Sequence, residues 1–172
     1  GIAQFAGGPT GPVFALALDT LLRSSDGHEW EPVRDIEELS ESAWLLASDD
    51  GGTVCLVQYT LEPTLEPLVS LAFSRDSGAT WQEHRTRAFA LVQGAALAPD
   101  GRALAVLALR TGDLQPTLSL AFLPTEQWIT HRWPEALPET SLVRLLWSAA
   151  GETLLAVVDT DVWLVRHPLE RP

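Results

Sequence analysis

Apolar runs of strand length recur along the chain, and each follows a short turn that contains glycine. Three of the turn glycines, Gly51, Gly101 and Gly151, stand 50 residues apart, and Gly11 forms an earlier fourth turn. A glycine turn in front of an apolar run is typical of a β-hairpin. The pattern predicts second strands within four segments: Val13–Leu18, Val54–Val57, Ala103–Leu109 and Leu154–Val158.

A third and a fourth strand follow in the same repeat. The tetrapeptide Ser70–Phe73 recurs letter for letter as Ser119–Phe122, and Trp30, Trp81 and Trp128 each open a short polar segment. The second strands are almost continuously apolar, as expected when both faces are covered, whereas the fourth strands alternate and carry charge. The economical interpretation is a four-stranded antiparallel unit repeated about four times, which is an all-β propeller.

The ends of the repeat predict an incomplete ring. The blades are expected to span approximately 1–35, 42–86, 88–133 and 141–172 of a single β-propeller domain or propeller segment. A weak helical pattern over 35–46 is assigned in its second half to the first strand of the second blade. Only Ile2–Phe5 precede the first turn, and no Trp-led strand ends the last blade. The chain is therefore expected to be part of a larger propeller or half of an assembled ring, which makes a homodimer one expected state.

One turn carries a more specific motif. Ser74–Trp81 reads Ser-x-Asp-x-Gly-x-Thr-Trp, and Ser24–Trp30 is a shorter copy of it. Ser and Asp can bond to the backbone of their own turn, and Gly adopts positive φ without steric cost. A structural role is assigned to nine residues: Ser74, Asp76, Gly78, Thr80, Trp81, Ser24, Asp26, Gly27 and Trp30.

These two motifs and the blade periodicity resemble the Asp-box, or bacterial neuraminidase repeat, β-propellers. That superfamily includes sialidases, xyloglucan-cleaving glycosidases, sortilin-type receptor ectodomains and photosystem II assembly factors, so the resemblance implies a fold more than a chemistry. It implies that Asp76 and Asp26 are structural residues on outer hairpins, away from the binding face. It also favours an extracellular or periplasmic location.

Charge and composition exclude several classes of partner. A net charge of −12 disfavours binding to nucleic acid or to an anionic membrane surface, because both need clustered cations. No apolar run reaches the ~20 residues of a membrane-spanning helix. Cys55 is the single cysteine, in a strand expected to be buried, and the four histidines fall on different blades. No disulfide framework, metal site or cofactor is predicted.

No coherent catalytic set is visible. In one interpretation Tyr59 lies in the long loop between the second and third strands of blade two, with Glu62 and Glu66 after it, and a Tyr/Glu pair is the nucleophile of a sialidase. The interpretation that the sequence favours is that Tyr59 ends a strand with its hydroxyl in water. The arginine cluster and the Arg-Ile-Pro-type segment of sialidases are missing. Asp113, in a loop over 111–116, is an aspartate that no repeated turn explains. The sequence leaves enzyme status open and leans against activity.

Binding candidates remain among the aromatic residues. Trp44 is predicted on a first strand near the propeller axis, and Trp133 opens a proline-flanked loop. Exposed tryptophans stack on sugars or anchor protein partners. The pairs His84-Arg85 and His131-Arg132 each begin three residues after a blade tryptophan and are interpreted as an exposed feature of outer strands. The predicted binding residues are Trp133, Asp113, Trp44 and Tyr59.

The leading functional hypothesis is a non-catalytic propeller module that binds a protein or glycan partner through its inter-strand loops. The alternative is a glycoside hydrolase fragment, sialidase-like or polysaccharide-cleaving, with an incomplete active site. A structural spacer or assembly factor is a third hypothesis. The residues that form recognisable motifs all have roles in building the blades, and no coherent catalytic set is visible. This favours the first hypothesis over the second.

Overall fold

A computed structural model describes residues 2–36, 42–61, 66–123, 127–134, 137 and 143–166. This part of the chain contains fifteen β-strands and no helix, in four sheets that we number blades 1 to 4. Blade 1 contains β1 (Ile2–Ala6), β2 (Val13–Ala17), β3 (Thr20–Ser24) and β4 (Glu31–Asp35). Blade 2 contains β5 (Ser42–Ala47), β6 (Val54–Leu61), β7 (Pro67–Ser74) and β8 (Gln82–Thr86). Blade 3 contains β9 (Phe89–Leu97), β10 (Ala103–Arg110), β11 (Pro116–Phe122) and β12 (Gln127–Arg132). Blade 4 contains β13 (Val143–Trp147), β14 (Thr153–Val158) and β15 (Asp161–Arg166).

Every blade is an antiparallel meander in which strands lie side by side in chain order. Blades 1 to 3 have four strands, and three strands of blade 4 lie within the described residues. The prediction of an all-β propeller built from four-stranded antiparallel blades is confirmed. The part of the predicted helical pattern that would precede β5, residues 37–41, lies outside the described residues, and 42–47 form β5 as predicted.

The blades are stacked in sequence order through their first strands. β1 packs against β5, β5 against β9, and β9 against β13, whereas no packing of comparable extent joins β13 to β1 among the described strands. Three apolar clusters fill the three junctions between successive blades. We call the face that a blade turns to the preceding blade its front face, and the opposite one its back face.

The second strands form the interior of this stack. Residues Ala103–Leu109 of β10 are buried on both faces of the sheet, with Leu104 and Val106 in the junction with blade 2 and Leu107 in the junction with blade 4. Cys55 of β6 is fully buried as well, and burial raises the pKa of its thiol to about 12. The outer strand β8, by contrast, is exposed along most of its length, as its charged sequence predicted.

The three glycine turns have one geometry. Gly51, Gly101 and Gly151 have φ of +64°, +70° and +71°. In each turn the glycine N–H donates to the carbonyl three residues earlier at 2.9 Å. The interval of 50 residues is therefore a structural repeat of the hairpin that joins the first two strands of blades 2, 3 and 4.

The repeated tetrapeptide is displaced between blades 2 and 3. In blade 2, Leu71 lies opposite Val57. The repeat of 50 residues makes Leu107 the counterpart of Val57, and the tetrapeptide makes Leu120 the counterpart of Leu71. Leu107, however, lies opposite Leu118 and not opposite Leu120. Ser119–Phe122 is thus shifted by two residues from the position of Ser70–Phe73, so the sequence match is not a structural one. A shift of two keeps every side chain on the same face, because the side-chain period of a strand is two.

The outer strands keep the predicted equivalence. His84 lies opposite Leu71 and His131 lies opposite Leu118, so the two His-Arg pairs occupy the same position on β8 and β12. Trp81 directly precedes β8, as predicted, whereas Trp128 is the second residue of β12.

Candidate functional site

The two edges of the blade stack are built differently. In an antiparallel meander successive connections alternate between edges, so the turns joining strands 1 to 2 and 3 to 4 share one edge, which we call the turn edge. The opposite edge carries the connections from strand 2 to strand 3 and from each blade to the next, and we call it the loop edge. Both clefts described below open at the loop edge.

The polar cleft lies between blades 1 and 2. Val13 and Val54 begin their strands at matching positions, opposite Ser24 and Ser74. From there β2 has 5 residues and β6 has 8, so blade 2 rises above blade 1 at the loop edge by three residues, or roughly 10 Å. The step leaves a cavity of about 620 Å³, lined by Arg34, Asp35, Ile36, Gln58, Thr60, Leu68, Ser70, Glu83 and Arg85.

Charged side chains organise the polar cleft. Arg34 of blade 1 forms a salt bridge with Glu83 of blade 2, and its guanidinium carbon lies 5.1 Å from the centroid of the Trp81 ring. Arg85 Nη2 lies 3.5 Å from the other carboxylate oxygen of Glu83. The Arg85 side chain is 65% exposed, so its guanidinium faces solvent at the mouth of the cleft with donors available for a ligand.

A second cavity extends the polar cleft outwards along β7 and β8. It has a volume of about 510 Å³ and shares Leu68 and Arg85 with the polar cleft, and Thr86 and Arg87 complete its lining. Arg87 Nε lies 3.5 Å from the Glu66 carboxylate. Two exposed guanidinium groups, each beside a carboxylate, therefore stand along this part of the loop edge.

The aromatic cleft lies between blades 2 and 3 and is smaller, at about 210 Å³. Three rings stand close together in it: the Trp128 ring centroid is 6.2 Å from that of His84 and 6.4 Å from that of Phe89. Hydroxyl groups and one guanidinium complete a mostly apolar lining, which comprises His84, Thr86, Ala88, Phe89, Arg110, Thr117, Trp128 and Thr130.

The two clefts occupy equivalent positions in the repeat. Ser70 of the polar cleft lies opposite Gln58, and Thr117 of the aromatic cleft lies opposite Ala108. Because Ala108 follows Gln58 by the 50-residue repeat, Ser70 and Thr117 hold equivalent positions in blades 2 and 3. By the same register Thr130 of the aromatic cleft takes the place of Glu83. One edge of the protein thus presents two neighbouring clefts at the spacing of one blade, a charged one and an aromatic one.

The Ser74–Trp81 turn lies on the opposite, turn edge. The Asp76 carboxylate accepts hydrogen bonds from Thr80 Oγ1 at 2.6 Å, from Thr80 N at 2.8 Å and from Ser74 Oγ at 2.7 Å. These bonds, that from the Thr80 hydroxyl first, lower the pKa of Asp76 to about 2. Gly78 has φ of +89°, and Trp81 Nε1 donates to the Gly78 carbonyl at 3.0 Å.

The shorter copy between β3 and β4 closes in a similar way. The Asp26 carboxylate accepts from Glu29 N at 2.9 Å and from His28 N at 2.8 Å, which lowers the pKa of Asp26. Gly27 has φ of +78°, and its N–H donates to Ser24 Oγ at 2.8 Å. Both aspartates bond within their own hairpins, far along the strands from the two clefts.

Asp113 stands at the loop edge and is bound within its own hairpin. Its carboxylate forms a salt bridge with Arg110 and accepts a hydrogen bond from Gln115 N at 3.2 Å. The bond from Arg110 is the main cause that lowers the pKa of Asp113 to about 2. Asp113 therefore positions Arg110, one of the residues that line the aromatic cleft.

The aromatic binding candidates lie in junctions. The sequence predicts Trp133 in an exposed loop, but it is only 4% exposed and its ring packs edge-on against Trp163 at 5.5 Å, so it presents no surface to a ligand. Tyr59 lies in β6, opposite Ser42 and Val69 and two residues before the end of the strand, as the strand-end interpretation predicts, and not in the following loop. Tyr59 and Trp44 are half-buried against the cluster between blades 2 and 3. Glu62, the predicted partner of Tyr59, lies outside the described residues.

The residues that line the clefts were mostly missed by sequence reasoning. Arg34, Glu83 and Arg85 appear in the sequence as ordinary charges on outer strands. They lie in one cleft because β6 is longer than β2, so that polar residues of blade 2 extend beyond the end of blade 1 at the loop edge. The repeat equivalence of His84-Arg85 and His131-Arg132 indicates exposed outer strands, and it does not by itself indicate a cleft between blades.

The described residues contain no group of three or more His, Cys, Asp or Glu side chains arranged to hold a metal ion. The same part of the chain has no helix long and apolar enough to cross a membrane. The chemistry that the two clefts do offer is hydrogen bonding and charge pairing from guanidinium, carboxylate and hydroxyl groups, and stacking on three rings.

Comparison with known proteins shows the fold. No protein-family model and no curated protein matches the chain. A solved structure described as the complex of KlAtg21 with the coiled coil of AgAtg16 is similar over 98% of this chain, with a TM-score of 0.70 and 13% identity. A second, from a study of two prolyl endopeptidases and the role of their inter-domain dynamics, is similar over 99% of this chain, with a TM-score of 0.64 and 15% identity.

This chain spans 53% of the first of those chains and 28% of the second. At such identities the likeness is one of fold alone. It agrees with the blade architecture, since the first neighbour is a β-propeller and prolyl endopeptidases contain a β-propeller domain.

Proposed function

We propose that this chain is a non-catalytic β-propeller module that binds a partner, a protein or a glycan, at its loop edge. The observation that carries the proposal is the pair of equivalent inter-blade clefts at that edge, one charged and one aromatic. Neighbouring clefts of different chemistry fit a ligand that presents a polar or charged group to the first and an apolar group to the second.

A protein partner fits this arrangement better than a glycan. The Arg85 guanidinium is exposed and can bind a carboxylate in two-point geometry, while the apolar lining between Phe89 and Trp128 suits a hydrophobic side chain. The KlAtg21 neighbour, a propeller, was solved in complex with a coiled coil of AgAtg16. That complex gives a precedent for protein binding on this fold, and the site on this chain is argued from its own clefts.

We also propose that the blades are of the Asp-box type. The hydrogen bonds of Asp76 and Asp26 within their own hairpins, and the positive φ of Gly78 and Gly27, support this class. Under this proposal the extracellular or periplasmic location inferred from the resemblance stays a prediction.

The glycoside hydrolase alternative has little support among the described residues. Asp113 is engaged by Arg110, and Tyr59 is part of the β6 ladder, half-buried in a blade junction. Neither residue lines the polar cleft or the aromatic cleft. The alternative remains a prediction that a panel of glycoside substrates tests directly.

The proposal is tested by screening the purified chain against a displayed peptide library and a glycan array, and by measuring each hit with the wild type and two variants. Arg85→Glu reverses an exposed charge at the mouth of the polar cleft. Arg102→Glu makes the same change on an exposed residue of the β9–β10 turn, at the turn edge. We expect Arg85→Glu to weaken a peptide hit by roughly tenfold or more, about 1.4 kcal/mol, and Arg102→Glu to have little effect.

Two results would contradict the proposal. The first is a wild type that binds no peptide and no glycan. The second is a set of hits that is insensitive to Arg85→Glu and lost with Arg102→Glu, which would place binding at the turn edge. Thermal unfolding of both variants, expected to match the wild type, shows that a change in affinity is not caused by a loss of fold.

A further inference from the structure

Exposed hydrophobic residues are concentrated on the two terminal blades. Seven large apolar side chains of the described residues are exposed, and three of them, Leu18, Leu61 and Leu114, lie at or near the loop edge. The other four lie on strands of blades 1 and 4: Phe5, Leu146, Val162 and Leu164, with exposures between 53% and 65%. Such clustering on two faces marks surfaces that another protein covers.

The back face of blade 4 is a continuous apolar surface. Leu146 lies opposite Leu155, and Leu155 lies opposite Leu164. Val157 lies opposite Val162 in the next row of the same face. Cross-strand neighbours of this kind contact one another, so the five side chains form one patch across β13, β14 and β15.

The equivalent patch is buried in the other blades. Val57 and Leu107 stand 100 and 50 residues before Val157, and both are fully buried in the junction with the following blade. Cys55 and Ala105 stand at the corresponding distances before Leu155 and are also fully buried. The back face of blade 4 therefore has the composition of a blade junction, without a blade on it among the described residues.

Blade 1 shows the converse on its front face. Phe5, Ala15 and Leu22 lie in one cross-strand row. In blade 2 the row of Leu45, Leu56 and Ala72 takes this position and is buried in the junction with blade 1. Phe5 is 60% exposed, and its ring lies 6.1 Å from that of Trp30 on the same side of the blade. The front face of blade 1 is likewise built as half of a junction.

Each of the three internal junctions pairs the back face of one blade with the front face of the next. The two open faces are the front face of blade 1 and the back face of blade 4. They are therefore complementary to each other, but they lie at opposite ends of the stack. We propose that a second copy of this chain covers both: blade 4 of each copy packs on blade 1 of the other, and the two four-blade stacks close one eight-blade ring.

Two observations favour a second copy as the occupant. A twofold pairing satisfies both open faces at once, with one repeated contact. The charged residues on the strands of the blade 4 back face are cations, Arg144 and Arg166, so this face does not add to the repulsion between two acidic chains.

Size-exclusion chromatography with light scattering at micromolar concentration tests the proposal. The wild type is expected at twice the 18.7 kDa of one chain. Leu164→Asp and Phe5→Asp each place a charge inside both contacts of the ring and are expected to give the mass of a single chain. Leu61→Asp makes the same kind of change at a residue that is 58% exposed and far from both faces, and it should leave the dimer intact.

Mixing the two monomeric variants distinguishes the head-to-tail ring from any face-to-face dimer. In a mixed pair, one contact joins two wild-type faces and the other carries both substitutions, so dimers are expected to reappear. A dimer formed through blade 4 alone would be insensitive to Phe5→Asp and would overturn the proposal. A monomeric wild type, or open-ended oligomers larger than a dimer, would overturn it as well, the latter because head-to-tail contacts that do not close give filaments.

Discussion

At the scale of single residues, Asp76 shows how one carboxylate organises a turn. It accepts two hydrogen bonds from Thr80 and one from Ser74, while Gly78 supplies the left-handed backbone that the turn needs. The same bonds stabilise the charged form of Asp76 and lower its pKa to about 2. A side chain that has this role in the turn is not available to a ligand.

The Asp76 pKa predicts a specific loss of stability in acid. Because the pKa is lower in the folded state than the unfolded value near 3.9, the stabilisation is complete above that value and is lost as the pH falls towards 2. We expect Asp76→Asn to lower the thermal midpoint at neutral pH, and the difference from the wild type to shrink between about pH 4 and pH 2. Thermal melts across that range measure it.

Asp161→Asn is the matched control, since Asp161 is an exposed aspartate of β15. It should give melting curves close to those of the wild type at neutral pH. A difference between Asp76→Asn and the wild type that is constant from pH 7 to pH 2 would show that the charged carboxylate does not hold the turn.

At the scale of elements, the glycine turns repeat faithfully and the third strands do not. The turns before β6, β10 and β14 share their hydrogen bonds and their left-handed glycines. The third strands β7 and β11 carry the same tetrapeptide, but its pairing with the second strand is shifted by two residues between blades 2 and 3. A turn is specified by local backbone chemistry, whereas register also depends on the length of the connection and on which side chains meet the next blade.

The repeated turns give a matched pair of glycine substitutions. Gly101 and Gly151 have nearly the same φ, but a Cβ on Gly101 would lie 2.4 Å from Thr53 Oγ1, while a Cβ on Gly151 would meet nothing within 4 Å. Gly151→Ala is expected to cost about 1 kcal/mol from backbone strain alone. Gly101→Ala should cost roughly 1 to 3 kcal/mol more, because the turn is crowded against blade 2.

Urea denaturation of both glycine variants measures the difference in the free energy of unfolding. The Gly151→Ala variant serves as the control for the conformational cost. Equal destabilisation by the two substitutions would mean that the contact between the β9–β10 turn and Thr53 is loose, and that successive blades are not tightly joined at the turn edge.

At the scale of the whole molecule, the described blades form a stack whose three junctions are closed and whose two end faces are apolar. Each junction buries the back face of one blade on the front face of the next. The unequal heights of blades 1 and 2 create the polar cleft at the first junction. The binding site and the open faces are therefore separate features, one at the loop edge and one at the ends of the stack.

Two valines at equivalent positions test whether the back face of blade 4 is covered. Val57 is fully buried in a junction, and Val157 holds the same position on the back face of blade 4 and is half-buried. Val57→Ala is expected to cost about 2 kcal/mol at any protein concentration. Val157→Ala should cost less than about 1 kcal/mol in dilute solution and more at concentrations where a second copy covers the face.

Chemical denaturation at two protein concentrations measures both costs. Val57→Ala is the internal control, since its site is covered within one chain. A Val157→Ala cost that equals that of Val57→Ala and does not change with concentration would show that blade 4 is already covered without a partner.

Much of the fold could be predicted from the sequence. The apolar second strands, the glycine turns, the Trp-led outer strands of blades 1 and 2 and the number of blades were all visible, because each depends on a period of two or on the chemistry of a short turn. The candidate site could not be found in the same way. Trp133 follows an outer strand and precedes proline, as an exposed loop residue would, yet it is buried because blade 4 packs over it.

Local sequence is enough to predict which segments become strands, where they turn and that the unit repeats, because these features follow from residues that are close together in the chain. The register of the third strands, the burial of Trp133, the half-burial of Tyr59 and the position of Arg34, Glu83 and Arg85 in one cleft arise only when the blades pack together. These features depend on how long the strands of neighbouring blades are and on contacts between residues that are distant in the sequence, such as Arg34 and Glu83. No local pattern in the sequence records such contacts.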